Sequence, residues 1–176
     1  MIFPFYTVGH STRSIEDFIA LLGVAKVELV VDIRTIPKSR NNPQYAKKDL
    51  SNQLAAFGLN YKYIGQLGGL RNKSKIVSPD VNGLWQNQSF HNYADYALSE
   101  EFRQGLNKLL SFGRKQRTVI MCAESVWWRC HRRIVADYLI AHNESVFHLM
   151  GTDRIEPAHL TKGAILISGG TVVYPP

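Results

Sequence analysis

Short runs of β-branched and aromatic residues alternate with longer amphipathic segments along nearly the whole chain. That alternation is the pattern of a mainly parallel sheet with helices packed against it. Residues 2–8 read as a first strand. Ser14 then reads as a helix N-cap with Asp17 three positions on, and Ile15, Phe18, Ile19 and Leu22 form an apolar face that ends near Gly23. "VELVVDIR" supplies a second strand through Asp32, followed by the polar loop "TIPKSRNNPQY", a helix over 46–57 stopped by Gly58, and a third strand in "NYKYI". Residues 65–89 show no clear period, as expected of a functional lid or a disordered segment. Residues 91–112 are helical with a break near Ser99, where "SEEF" offers a new N-cap with acids in its first turn. "TVIMC" is a fourth strand, 129–141 a helix and "SVFHL" a fifth strand. "AILISGGTVVY" reads as two strands joined by a Gly-Gly turn, giving the sheet an antiparallel edge. No repeat or low-complexity linker interrupts the pattern, so 1–176 reads as a single α/β domain with flanking helices and a C-terminal antiparallel hairpin.

Composition narrows the setting. With 45% hydrophobic and 20% charged residues, a chain of 176 residues can bury one sizeable core. No run approaches the ~18 uninterrupted apolar residues of a membrane span. The start "MIFPFYTVGHSTR" lacks the apolar run and cleavage site of a signal peptide. The expectation is a cytoplasmic protein with no membrane partner. Two cysteines make no disulfide framework, and in a reducing compartment they are buried, catalytic or metal-bound. A net charge of +7, from 21 Lys and Arg against 14 Asp and Glu, favours an anionic small molecule or a nucleic acid without choosing between them.

In open parallel sheets, ligands bind outside the carboxyl ends of the strands, where loops and helix N-termini gather. The first strand ends in "VGHSTR", the second in "VDIR" and the fourth in "MCAE", each ahead of a helix. His10, Ser11, Arg13, Asp32, Arg34, Cys122 and Glu124 are therefore expected along one edge. Each also has a plain structural reading: a polar turn into the Ser14 cap, or a local pair between Asp32 and Arg34.

The stretch "MCAESVWWRCHRR", 121–133, concentrates chemistry. Cys130, Ile134 and Tyr138 lie at spacing four, as do His131, Val135 and Leu139, so Cys130 and His131 continue an apolar helical stripe and Cys130 reads as a small core residue. Arg129, Arg132 and Arg133 sit near the helix start, where each opposes the dipole by a few tenths to about 1 kcal/mol unless an anion is present. Cys122 ends a strand before a helix N-terminus with cationic neighbours, conditions that lower a thiol pKa. It is the candidate nucleophile, with Glu124 or His10 as acid or base and the N–H groups of residues 125–128 as oxyanion donors. The plain alternative is an inert thiol at the end of a buried strand. Trp127 and Trp128, with Trp85 and Tyr45 on loops, offer faces on which a nucleobase would stack for ~1–3 kcal/mol apiece, or else belong to the core. The Cys122 to Arg129 spacing is one residue too long for the anion cradle of a cysteine phosphatase, and the loop lacks its glycines. Cys122, Cys130, His131 and His10 could converge on zinc, but the two cysteines are too far apart in sequence for a zinc knuckle. No cofactor is expected, no metal ligands are assigned, and metal occupancy and oligomeric state are not readable from the sequence.

"TVGHSTRSIEDF", "VVDIRTIPKSRNNPQY", "LGGLRN", "FHNYADY" and "MCAESVWWRCHRRIVADYL" together resemble the bacterial and archaeal family known as domain of unknown function 488, over almost the whole chain. The resemblance carries onto Gly9, His10, Ser11, Thr12 and Arg13; onto Asp32, Arg34, Pro37, Ser39 and Arg40; and onto Cys122, Glu124, Cys130, His131 and Arg132. Trp127 stands where a small or proline-like residue is expected. The resemblance implies a single α/β domain and an enzyme with functional cysteines, and brings no established reaction.

The leading expectation is a thiol enzyme, a transferase or hydrolase. Cys122 acts as nucleophile or electron donor, Glu124, Asp32 and His10 manage protons, and Arg13, Arg34, Arg40 and Arg132 bind an anionic, nucleotide or nucleobase-containing substrate. Ser11, Ser39, Trp127, Trp128, Arg129, Cys130 and His131 complete the expected binding set. Two alternatives stand beside it. One is a non-catalytic nucleic-acid-binding domain using the basic loops "IPKSRNNPQYAKK" and "GGLRNKSK". The other is a hydrolase using Asp32 and Glu124, with bystander cysteines.

Overall fold

Leu29, Val30 and Val31 are wholly buried on both faces of their strand, as are Val119, Ile120 and Met121. Parallel strands covered by helices on each side require this double burial. The computed structural model describes residues 2–176. Its strands β1 (Phe5–Gly9), β2 (Leu29–Asp32), β3 (Asn60–Tyr63), β4 (Thr118–Cys122), β5 (Val146–Gly151) and β6 (Arg154–Pro157) form one sheet in the order β3-β2-β4-β1-β5-β6. All neighbours are parallel except β5 and β6. Among the described residues no helix is long and apolar enough to cross a membrane.

Side-chain alternation divides the core between the two faces. Val30, Val119 and Met121 pack against α1 (Ile15–Val24) and α2 (Lys47–Ala56) through Phe18, Leu22, Leu50 and Leu54. Val31, Ile120 and Cys122 face the other side, with α3 (Gln88–Tyr96), α4 (Glu100–Gly113) and α5 (Arg132–Ala141). Cys122 and Cys130 thus belong to the same layer.

The single α/β fold matches the sequence reading, with three differences of detail. The antiparallel edge is β6, which folds straight back on β5. The C-terminal hairpin, β7 (Ile165–Ile167) with β8 (Thr171–Val173), is a separate two-stranded sheet. The expected helix over 129–141 begins only at Arg132, because Trp127–Arg129 forms a 3-10 turn. The aperiodic segment 65–89 is pinned rather than loose. Tyr93 and Tyr96 donate their hydroxyls to the Leu67 and Gln66 carbonyls, the Arg71 guanidinium lies 3.7 Å over the Tyr96 ring, and buried Asn82 bridges Asp95 and the Tyr174 backbone. Its order comes from long-range hydrogen bonds, which carry no local period.

Strand order places the site. The chain leaves β1, forms β2 and β3, and returns through α3 and α4 to insert β4 between β2 and β1. The carboxyl ends of three neighbouring strands therefore lie side by side, with Gly9 paired to Cys122 and Asp32 to Met121.

Candidate functional site

At the end of β4 the chain makes a close turn over β1. The His10 and Ser11 N–H groups donate to the Cys122 and Ala123 carbonyls at 2.9 and 3.0 Å. Gly9 allows the approach, since a Cβ there would stand 1.7 Å from the Glu124 carbonyl oxygen. Glu124 is thereby lifted out of the sheet and exposed, with its carboxylate accepting from Val126 N–H and the Ser125 hydroxyl, both at 3.4 Å.

Beneath this turn lies Arg132, 0% exposed. Its Nη1 donates to Cys122 Sγ at 2.8 Å and to the Glu124 carbonyl at 2.5 Å, Nη2 to the Ser125 carbonyl at 3.1 Å, and Nε to Thr7 Oγ1 at 3.2 Å. Thr7 Oγ1 and Nδ1 of buried His148 are 2.6 Å apart, so the hydroxyl accepts from Arg132 and donates to the imidazole. The Arg132 backbone N–H, at the start of α5, donates to Cys130 Sγ at 3.4 Å. One arginine thus touches both sulfurs, which are free thiols.

The two thiols titrate as a coupled pair. Burial resists ionisation of Cys130, but the neighbouring Cys122 thiol, the Arg132 charge and the Arg132 backbone N–H outweigh it and bring Cys130 down to about 7. Burial pushes Cys122 up, and its neighbour Cys130 pushes it further, against the opposing charges of Arg132 and His131. The acidified thiol was expected at Cys122, and the Arg132 guanidinium does bond that sulfur; the lowered value falls on Cys130, which takes the Arg132 backbone N–H at the helix start. His131 adjoins it, with Nδ1 3.5 Å from Cys130 Sγ and Nε2 2.8 Å from the Ile33 carbonyl. A carbonyl only accepts, so Nε2 carries the proton and Nδ1 presents a lone pair to the thiol. Burial keeps that ring neutral by lowering its pKa.

Asp32 is fully buried and fully engaged. It accepts from Arg34 Nε at 2.9 Å, Nη2 at 2.7 Å and backbone N at 3.1 Å, and from the Tyr61 hydroxyl at 2.5 Å. Burial and the adjacent carboxylate push the Tyr61 hydroxyl well above its ordinary value. Asp32 therefore holds Arg34 in place, with Arg34 Nη1 directed to His10 Nε2 at 3.4 Å. His10 donates Nδ1–H to the Ser11 carbonyl at 2.8 Å and stacks on Tyr45 with ring centroids 4.1 Å apart. Burial lowers its pKa to about 4.

Two clefts flank the Ala123–Glu124 turn. The larger, about 430 Å³, has Cys122, Cys130 and His131 at its floor, Arg34, Lys38 and Arg129 as cations, and Ile36, Leu70 and Phe90 as apolar wall. Asn87, the N-cap of α3, also lines it. Gly69 passes so close that a Cβ there would sit 2.5 Å from His131 Nδ1. The second cleft, about 400 Å³, is lined by His10, Ser11, Thr12, Ser39, Asn42 and Ser125. Among the described residues no group of three or more His, Cys, Asp or Glu is arranged to hold a metal ion.

Several expected ligands face elsewhere. Arg13 donates to the Gly9 and Met150 carbonyls, tying β1 to β5. Arg40 is exposed on its loop and lines neither cleft. Trp127 lies flat on His148, centroids 4.6 Å apart, and donates to Glu156, while Trp128 projects outward at 40% exposure. Tyr45 is core, and Trp85 packs between Phe90 and Tyr174. The aromatic face of the thiol cleft is Phe90 instead. Lys38, Leu70, Asn87 and Phe90 escaped the sequence reading as individual site residues. Their only signal was membership in the loop after the second strand, in the aperiodic segment 65–89 and, for Phe90, in the "FHNYADY" run.

The family model described as Domain of unknown function DUF488 matches residues 14–139. The chain belongs to the DUF488 family. Neither a curated protein nor a solved structure matches it. The DUF488 match spans Asp32, Arg34, the loop with Gly69, and the whole of 122–132. His10 and Ser11 precede it and join the DUF488 site through the pairing of β1 with β4.

Proposed function

We propose that this protein is a thiol-dependent enzyme acting on an anionic substrate held in the cleft over Cys130, with a nucleotide or nucleobase-bearing molecule as the best fit. The carrying observation is Arg132. It is wholly buried and forms no salt bridge to a carboxylate among the described residues; the ionisable groups at its hydrogen-bonding atoms are the two cysteines. A buried cation without a countercharge costs several kcal/mol, and a thiolate removes that cost.

In this reading Cys130 is the nucleophile and Cys122 the second sulfur on Arg132. His131 Nδ1 takes the thiol proton. The thiolate forms a bond to an electrophilic substrate carbon as the leaving group departs with the proton that His131 took, and a water deprotonated by Glu124 then attacks that carbon and releases the bound group with the thiolate restored. Lys38, Arg129 and the free edge of Arg34 hold the anionic part, while Ile36, Leu70 and Phe90 cover a flat apolar part. Asp32 is a positioning residue for Arg34. With both its oxygens committed to Arg34 and Tyr61, it offers little to a two-carboxylate hydrolase.

The test is alkylation of the folded protein across pH by iodoacetamide and by anionic iodoacetate, resolved by peptide mass. Cys130 is expected to react with an apparent pKa of about 7 and to favour iodoacetate relative to a free thiol. Two cysteines that stay inert until unfolding would overturn the reading. Salt-sensitive oligonucleotide binding that survives replacement of both cysteines would, with that inertness, favour the nucleic-acid-binding alternative.

A further inference from the structure

We infer that Cys122 and Cys130 form a dithiol that exchanges with small disulfides bearing carboxylates and closes to an intramolecular disulfide. The inference rests on the same Cys130 thiolate as the proposed function and adds a second role for Cys122, which simple nucleophilic catalysis leaves unused. One sulfur ends β4 and the other starts α5, yet both line the floor of one cleft and both bond to Arg132. The Arg132 guanidinium bonds the Cys122 sulfur and the Arg132 backbone N–H bonds the Cys130 sulfur, so one residue brackets both. The segment joining them holds a short 3-10 turn, so closure bridges only a small loop. Lys38 and Arg129 at the cleft favour a carboxylate-bearing disulfide over a cationic one.

The exchange balances in two steps. The Cys130 thiolate attacks one sulfur of the small disulfide, forming a mixed disulfide and expelling one small thiolate. Cys122 then loses its proton to that released thiolate and attacks Cys130 Sγ, forming the Cys122–Cys130 bond and expelling the second small thiolate. The protein dithiol is oxidised by two electrons and the small disulfide is reduced to two thiols. Arg132 sets the poise. In the reduced form it faces a thiolate, whereas in the disulfide it is a buried cation facing neutral sulfur. The reduced form is therefore favoured and the disulfide reopens readily.

The experiment incubates the reduced, full-length chain with glutathione disulfide without oxygen, following free thiols and intact mass, with cationic cystamine as comparison. The expected result is loss of both thiols and two hydrogens of mass, no retained glutathione, faster reaction than with cystamine, and full recovery with dithiothreitol. Cys122→Ser is expected to keep a stable glutathione on Cys130, and Cys130→Ser to remain unmodified. A wild-type chain that retains glutathione on Cys130 would overturn the dithiol role while leaving the nucleophile intact. No reaction with glutathione disulfide, alongside normal alkylation of Cys130, would overturn the exchange alone. Failure of both reactions would remove both readings.

Discussion

Arg132 and Cys122 meet inside the protein, guanidinium nitrogen to sulfur at 2.8 Å, and the same arginine donates its backbone N–H to Cys130. A charge so placed must be balanced locally, which makes the ionisation of the thiol pair part of the stability of the fold.

Replacing Arg132 by Met is expected to raise the apparent pKa of Cys130 by at least about one unit and to slow its alkylation at pH 7 roughly tenfold. Arg132→Lys retains the charge and should fall between wild type and Met. The linked stability has a definite sign. Cys130 sits below its unfolded value, so its contribution is full above the unfolded pKa and is lost as pH falls through about 7. Cys122 sits above its unfolded value and opposes stability at higher pH. Urea midpoints should rise from pH 6.5 to about 8.5 and then decline, a profile that Arg132→Met flattens.

Thr7→Val removes the hydroxyl that joins His148 to Arg132. It leaves Arg132 Nε and His148 Nδ1 without that partner, at a cost of about 1–3 kcal/mol. The guanidinium then loses its fixed position, and the Cys130 alkylation profile is expected to move to higher pH. An unchanged profile in a destabilised variant would limit Thr7 to packing.

His10 and His148 are buried neutral rings with pKa values lowered by burial to about 4 each. The unfolded chain takes up protons near 6.5, so their stability contribution is intact above that pH and is lost as pH falls toward 4, roughly 3 kcal/mol for each ring. Urea unfolding between pH 7 and 4 should show this loss, reduced when either ring is replaced by Gln.

Reversing charge at Lys38 and Arg129 together, to Glu, is expected to cut the rate of iodoacetate at Cys130 about tenfold, or roughly 1.4 kcal/mol, with little change for neutral iodoacetamide. Added salt should shrink the difference in the wild type. Equal effects on both reagents would show a changed thiol rather than a changed field.

Gly9→Ala forces a Cβ into the Glu124 carbonyl, so the 123–125 turn must move. A loss of about 2 kcal/mol or more is expected, seen as a fall in Tm of at least roughly 4 °C. Glu124 is displaced with the turn.

The residues at the ends of β1, β2 and β4 were legible in the sequence because strand period, helix caps and polar strand ends are local properties. His10, Asp32 and Cys122 follow directly from that reading. The division of labour among them was not. Whether Asp32 serves chemistry or Arg34, whether Trp127 faces a ligand or His148, and whether Arg13 binds an anion or the Met150 carbonyl depend on contacts distant in sequence. Lys38 enters the cleft from the loop after β2, and Phe90 only because the segment after β3 folds across the sheet edge.

Hydrophobic alternation by itself determined an α/β chain with its chemistry gathered at one strand edge, since burial of apolar faces forces that arrangement. Only the tertiary structure decided that the two thiols share one arginine. The insertion of β4 between β2 and β1 brings Cys122 under the start of α5, where one buried arginine faces two sulfurs and must take its countercharge from them.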